Sequence, residues 1–282
     1  MKTILASPED AVAAGTESPP SVRWALAGLA LSMLLSSLGT SIANVALPGL
    51  ALAFAASFQE VQWVVLAYLL AVTTLIVSVG RLGDLIGRRR LLLAGIFLFT
   101  MASVLCALAP TLGLLIAARA LQGLGAAVMM ALTMAFVGEA VPREKTGSAM
   151  GLLGTMSAIG TALGPSLGGV LIGGCGWPAI FLINLPLGIA AMFLAHRHLP
   201  ADRPQASADG AGFDHAGTLL LALTLAAYAL AMTAFQPIGH GSFGALNLIL
   251  LAAAVVGVGL FVFAEKRVAS PLVVRSINNI TK

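Results

Sequence analysis

The sequence predicts an all-α integral membrane protein, a helical bundle of about eight transmembrane helices, from three observations. Of its 282 residues 59% are apolar and 9% are charged, whereas water-soluble domains carry roughly a quarter charged residues; mean hydropathy is +1.00. The charges lie in clumps between long neutral stretches: 36 residues between Arg23 and Glu60, 20 between Glu60 and Arg81, 51 from Thr146 to His196, and 50 from His215 to Ala264. A spanning helix needs about 20 apolar residues, so each of the longest stretches holds two helices and a hairpin turn. Finally, of 15 Lys and Arg, every one but Arg119 falls in a segment on one side of the resulting hairpins. By the positive-inside rule that side is cytoplasmic. The rule accounts for the net charge of +4 without a nucleic-acid partner. The alternation of a β-barrel is absent, so a helical bundle is the membrane architecture that remains.

Helices are expected at about 24–47, 58–80, 91–109, 111–138, 148–173, 178–195, 216–235 and 243–264. Residues 1–23 read as a cytoplasmic tail, since they lack a basic n-region beyond Lys2, and the apolar run after Trp24 is too long for a secretory signal. Turn chemistry marks the outer hairpin bends at Leu47-Pro48-Gly49, Ala109-Pro110-Thr111, Gly173-Gly174-Cys175-Gly176-Trp177-Pro178 and Gln236-Pro237-Ile238-Gly239. Ser57-Phe58-Gln59-Glu60 reads as a capping box that opens the second helix at the outer surface, so Glu60 is a structural acid. The polar segment 196–215 is the domain boundary between six helices (24–195) and two more (216–264), and 265–282 is a second cytoplasmic tail. Cys106 and Cys175 both fall near the outer side and read as unpaired thiols. The four His show no metal-ligand spacing, and no phosphate loop, dinucleotide fingerprint or nucleophile–base pair occurs. No metal, cofactor or enzymatic activity is expected.

Three segments carry more than topology. Between the second and third helices lies Gly80-Arg81-Leu82-Gly83-Asp84-Leu85-Ile86-Gly87-Arg88-Arg89-Arg90. So short a connection must turn sharply, which suits Gly83 and Gly87. Basic anchoring does not require Asp84, which can pair with Arg81 or Arg88 or accept bonds from another helix's N-terminal amides. The fourth helix carries Arg119-Ala120-Leu121-Gln122-Gly123. A cation within hydrocarbon costs several kcal/mol and calls for a cavity and partners; the alternative is a side chain snorkelling to the outer interface, about 12 Å away by helical rise. Gln122 and Gly123 share its face. The fifth helix carries Gly160, Gly164, Pro165, Gly168 and Gly169; glycines every four residues make a flat groove for close packing, and Pro165 bends the helix.

The first of these segments resembles the signature loop of the major facilitator superfamily in Gly80, Leu82, Gly83, Asp84, Gly87, Arg88 and Arg89, with Leu85 where a basic residue is usual. In that family the loop is a conformational switch. Arg119 and Gln122 are similar to its helix-four motif, which implies a role in proton coupling, and the fifth-helix pattern resembles the exporters' antiporter motif. Leu38-Gly39-Thr40-Ser41-Ile42-Ala43-Asn44 and Trp63 with Tyr68 are similar to the fourteen-helix drug:proton antiporter branch, except that Gly39 replaces an Asp. By rise Gly39 lies at the depth of Arg119, so the usual acid–base pair is lost. Asn44, Tyr68, Arg119 and Gln122 are the candidate polar groups of a substrate cavity.

The resemblance runs from about Trp24 to Leu272 and stops where the family's second six-helix half would begin. It implies a proton-coupled exporter of small amphipathic substrates in the plasma (inner) membrane, with both termini cytoplasmic and a chain that is apparently truncated. A homodimer or a separate second half would supply the missing cavity wall. The alternative is a membrane module that binds or regulates a partner without transporting; a nutrient facilitator ranks lower.

Overall fold

The computed structural model describes residues 20–202, 215–233, 249, 252–257 and 259. Six helices in it are long and apolar enough to cross a membrane. They are α1 (Pro20–Ala53), α2 (Phe58–Ile86), α3 (Arg88–Ala107), α4 (Leu112–Ala140), α5 (Arg143–Cys175) and α6, which runs as two consecutive pieces, Ala179–Leu182 and Asn184–His198. A seventh, α7 (His215–Thr233), packs against α2. Of the expected eighth helix, residues 252–257 are helical. The Gln236 turn, residues 1–19, the 203–214 connection and the tail from 260 lie outside the described residues. No strand occurs among the described residues.

The ends of α1 correct the sequence expectations in two places. The first bend is not at Pro48, because α1 carries Pro48 inside it and continues to Ala53. Proline removes one backbone donor, a loss that membrane helices tolerate, and Pro48 faces outward. The chain turns instead at residues 54–57, with Ala55 in the left-handed region at φ 48°. There Ser57 N donates to Glu60 Oε2 at 2.7 Å and Glu60 N to Ser57 Oγ at 3.3 Å, the reciprocal capping box. α1 also begins earlier than expected, at Pro20, a residue suited to a first helical turn. The other described bends lie where the turn residues put them. Thr111 caps α4 through Leu114 N, and Gly176, at φ 82°, ends α5. Cys106 is buried, Cys175 is exposed, and both thiols are free.

The helices pack by close approach at glycines. α1 and α5 make the most extensive pairing. A Cβ at Gly160 would lie 2.7 Å from the Leu34 carbonyl, one at Gly164 2.9 Å from Ile42 N, and one at Gly168 3.0 Å from Ile42 Cγ1. The groove expected on α5 is therefore occupied by α1. Ser37 and Ser157 hydroxyls meet across it at 2.7 Å, and Ser41 Oγ donates to the Thr161 carbonyl at 2.7 Å. Between helices in lipid, where apolar burial drives little, such contacts carry much of the association. Pro165 and Gly169 face away from this contact and are exposed, with open space beside Gly169. α5 and α2 are less buried than the other four spans.

Gly160→Leu is expected to force α1 and α5 apart and cost about 1–3 kcal/mol, as overpacking does. Gly169→Ala should leave the melting temperature of the detergent-purified chain within error. Equal Tm values for the two variants would contradict this packing.

Candidate functional site

Buried side chains form two apolar clusters. One comprises residues such as Leu29, Leu92, Phe136 and Ala195 towards the basic side; the other, residues such as Ile42, Leu50, Val61 and Ile180 towards the opposite side. Between them runs a polar layer centred on Arg119 of α4, which is fully buried. The guanidinium does not snorkel. Arg119 Nε donates to the Val64 carbonyl of α2 at 3.0 Å and Nη1 to Gln122 Oε1 at 2.6 Å. Its Cζ stands 4.3 Å from the Tyr68 ring centroid and 5.8 Å from that of Phe181. Aromatic faces attract a desolvated cation, and here they stand in place of a carboxylate. Nη2 has no hydrogen-bond partner among the described residues.

The network spreads to the neighbouring helices. Gln122 Nε2 donates to Ser103 Oγ of α3 at 2.6 Å, Ser103 Oγ to the Phe99 carbonyl at 2.8 Å, and the Tyr68 hydroxyl to the Ser36 carbonyl of α1 at 2.8 Å. Two glycines let α4 reach both neighbours. A Cβ at Gly123 would lie 2.5 Å from the Tyr68 carbonyl, and one at Gly125 2.7 Å from both the Gly95 carbonyl and Phe99 N.

Tyr68, Arg119 and Gln122 are thus brought together, but as a closed layer. Asn44 does not join them: it is exposed and donates within its own helix to the Thr40 carbonyl at 3.2 Å. At Gly39 a Cβ would stand 3.2 Å from the Phe99 ring and 3.6 Å from the Tyr68 hydroxyl, so aromatic side chains hold the space beside this glycine. Sequence reasoning missed Ser103 and Asn184. Asn184 is fully buried at the start of the second piece of α6, with neither amide atom hydrogen-bonded among the described residues. Each is a polar residue in a long neutral run, a signal that could have been read.

The second candidate centre is the α2–α3 connection. It is a single residue, Gly87, at φ 102° and ψ 126°. Gly83, expected at the turn, lies within α2 and packs against Leu132 and Arg88, while Gly80 has open space around it. Asp84 pairs with Arg88, its Oδ1 accepting from Nη2 at 3.0 Å and from Nε at 3.2 Å.

The free amides of α3 are taken by a residue the sequence reading did not single out. Asp202, from the segment after α6, accepts from Arg89 N at 2.7 Å and from Arg90 N at 3.2 Å. Arg89 Nη2 donates to the His196 carbonyl at 2.5 Å. A carboxylate on helix N-terminal donors satisfies them and complements the dipole. Any Cβ at Gly87 would meet Asp202 Oδ2 at 2.6 Å, so Gly87 is required both by its φ and by the carboxylate beside it. The start of the segment after α6 is thereby tied to the α2–α3 connection.

Asp202→Ala is expected to cost about 1 kcal/mol, as lost helix caps do, while Asp202→Asn retains most of the stability. Gly87→Ala should cost about 1–3 kcal/mol and exceed Asp202→Ala. Thermal unfolding in detergent ranks the three, and Asp202→Ala at wild-type Tm would remove the cap from the account.

Residues 29–264 match the model of the Major Facilitator Superfamily. The riboflavin transporter RibZ of Clostridioides difficile is 39% identical over 204 residues, which cover 72% of this chain and 44% of that protein. The multidrug resistance protein Stp of Mycobacterium tuberculosis is 38% identical over 246 residues, 87% of this chain and 44% of its own length. A solved bacterial homolog of the human lysosomal transporter Spinster, inward-facing and occupied, matches with a TM-score of 0.59 at 18% identity, over 92% of this chain and 64% of that one. At such identity the likeness is one of fold. The chain spans about half the length of the curated relatives it matches.

Proposed function

Because this chain belongs to the Major Facilitator Superfamily, we propose that it provides one half of an exporter of small amphipathic compounds in the plasma (inner) membrane, with both termini cytoplasmic. The observation that carries this reading is the Arg119 layer: a guanidinium held midway through the bundle, with a spare donor and, among the described residues, no carboxylate hydrogen-bonded to it. Structure for its own sake offers little reason to keep so costly a charge at that depth. The exposed faces of α2 and α5 favour a second helical half, from another copy or a separate segment, as the opposite cavity wall. Facilitator transport rocks two such halves around a midplane site. Asp84, Arg88 and Gly87 then act at the hinge side of that motion, and the Gly160 to Gly168 stripe keeps α1 and α5 moving as one body.

Proton exchange is the proposed driving force, with Arg119 and Gln122 as the polar groups that couple it to the bundle rather than as the groups that release the proton. Gly39 sets this chain apart from the antiporter pattern and favours the second reading, a membrane module that binds a partner and transports nothing. Vesicles containing the protein separate the two. The export reading expects uptake of ethidium or riboflavin into inverted vesicles on imposing an interior-acid gradient, and at least a tenfold loss with Arg119→Ala. The names of the relatives, one a riboflavin transporter and one a multidrug resistance protein, motivate both probes. Gly39→Asp is expected to steepen the dependence on the gradient, once Phe99 has shifted to admit the side chain. Neither probe moving, in a sample whose Tm is intact, would leave the partner-binding module as the reading.

A further inference from the structure

On its lipid-facing side the bundle carries a groove of about 500 Å³ between α3 and α6, within the range of about 300–1,000 Å³ typical of small-ligand clefts. Phe97 and Met101 of α3 form one wall, and Leu185, Ile189 and Phe193 of α6 the other. Its floor is low because Gly188 packs directly on Thr100, leaving no room for a Cβ. From Leu185 to His196, which closes one end, is about 16 Å by helical rise. That is half of a hydrocarbon core of about 30 Å, the depth of one leaflet.

The closed end is basic. Arg90 lies on the same stripe of α3 as Phe97 and Met101, two turns and three turns away. Its side chain is 79% exposed and reaches Asp202 only at 4.0 Å. The Asp202 carboxylate, bonded to the Arg89 and Arg90 amides, offsets part of this charge, and the cations at this end outnumber it. His196 and Arg197 are exposed at the end of α6. The bond from Arg89 Nη2 to the His196 carbonyl holds the two helix ends together. An apolar slot one leaflet deep that ends in cations matches the two parts of an acidic lipid, and basic sites between helices at this level are where anionic headgroups bind.

We propose that the α3–α6 groove seats an acyl chain of an anionic phospholipid whose phosphate lies against Arg90 and His196. The site is separate from the Arg119 layer and stands whether or not the protein exports anything. Native mass spectrometry of the intact, delipidated protein in detergent tests it, with dioleoyl phosphatidylglycerol, dioleoyl phosphatidylcholine and glycerol 3-phosphate as probes. Phosphatidylglycerol should be retained about tenfold over phosphatidylcholine, the scale set by one or two cations facing one added headgroup charge. Arg90→Gln should bring the two lipids level. Ile189→Trp, at an exposed position where folding is not at stake, should fill the slot and lower retention of both. Arg143→Gln removes an exposed cation at the start of α5, away from the groove, and should change nothing. The proposal is overturned by equal retention of both lipids in the wild type, or by Arg143→Gln acting as strongly as Arg90→Gln. Full displacement of the lipid by glycerol 3-phosphate would also overturn it, since the headgroup alone would then account for binding.

Discussion

A guanidinium held inside hydrocarbon sets the terms for the rest of this bundle. Arg119 cannot be solvated where it sits, so its charge has to be met by fixed dipoles and polarisable faces. The Val64 carbonyl, Gln122 Oε1 and the rings of Tyr68 and Phe181 supply them. These groups come from α2, α4 and α6, and Gln122 passes the chain of bonds on to α3. Four helices are therefore registered against one another by the requirements of one side chain. Gly123 and Gly125 follow from the same demand, since α4 must approach α2 and α3 at backbone distance for the bonds to form.

The bundle also divides its surfaces by what covers them. The α1–α5 contact is sealed by glycines and hydroxyls and behaves as a fixed seam. The remaining faces of α5 and α2 carry exposed apolar groups such as Leu163, Val170 and Leu69, suited to lipid or to another helical layer. The Gly160 stripe joins two helices of this bundle, α1 and α5.

At the basic side the connection between α2 and α3 shows how little chain a sharp reversal needs when one residue takes a conformation closed to L side chains. Gly87 does this alone, which leaves Asp84 free to hold Arg88 one turn away rather than to close the loop. The capping of α3 falls to Asp202, more than a hundred residues later. The end of α6 and the start of α3 become one mechanical unit, so displacement of the segment after α6 bears directly on the signature loop.

Much of this was legible in one dimension. Neutral runs long enough to cross a bilayer once or twice, the one-sided Lys and Arg, and the Ser57–Glu60 box mark spans and a helix start because the bilayer imposes its thickness and the capping box is local. The motifs around Asp84, Arg119 and Gly160 identify the family, and helix periodicity puts Gln122 on the face of Arg119. Proline misled at Pro48, since a helix that other helices support keeps its course through one missing donor. Tertiary structure alone decided which partners meet: that Tyr68 and Phe181 rather than an acid face Arg119, that Asn44 stands outside the layer, and that Asp202 caps α3. Sequence records periodicity and composition, which fix what a helix must do in lipid; contacts between residues far apart in the chain depend on helix rotation and depth, which only the packed bundle sets.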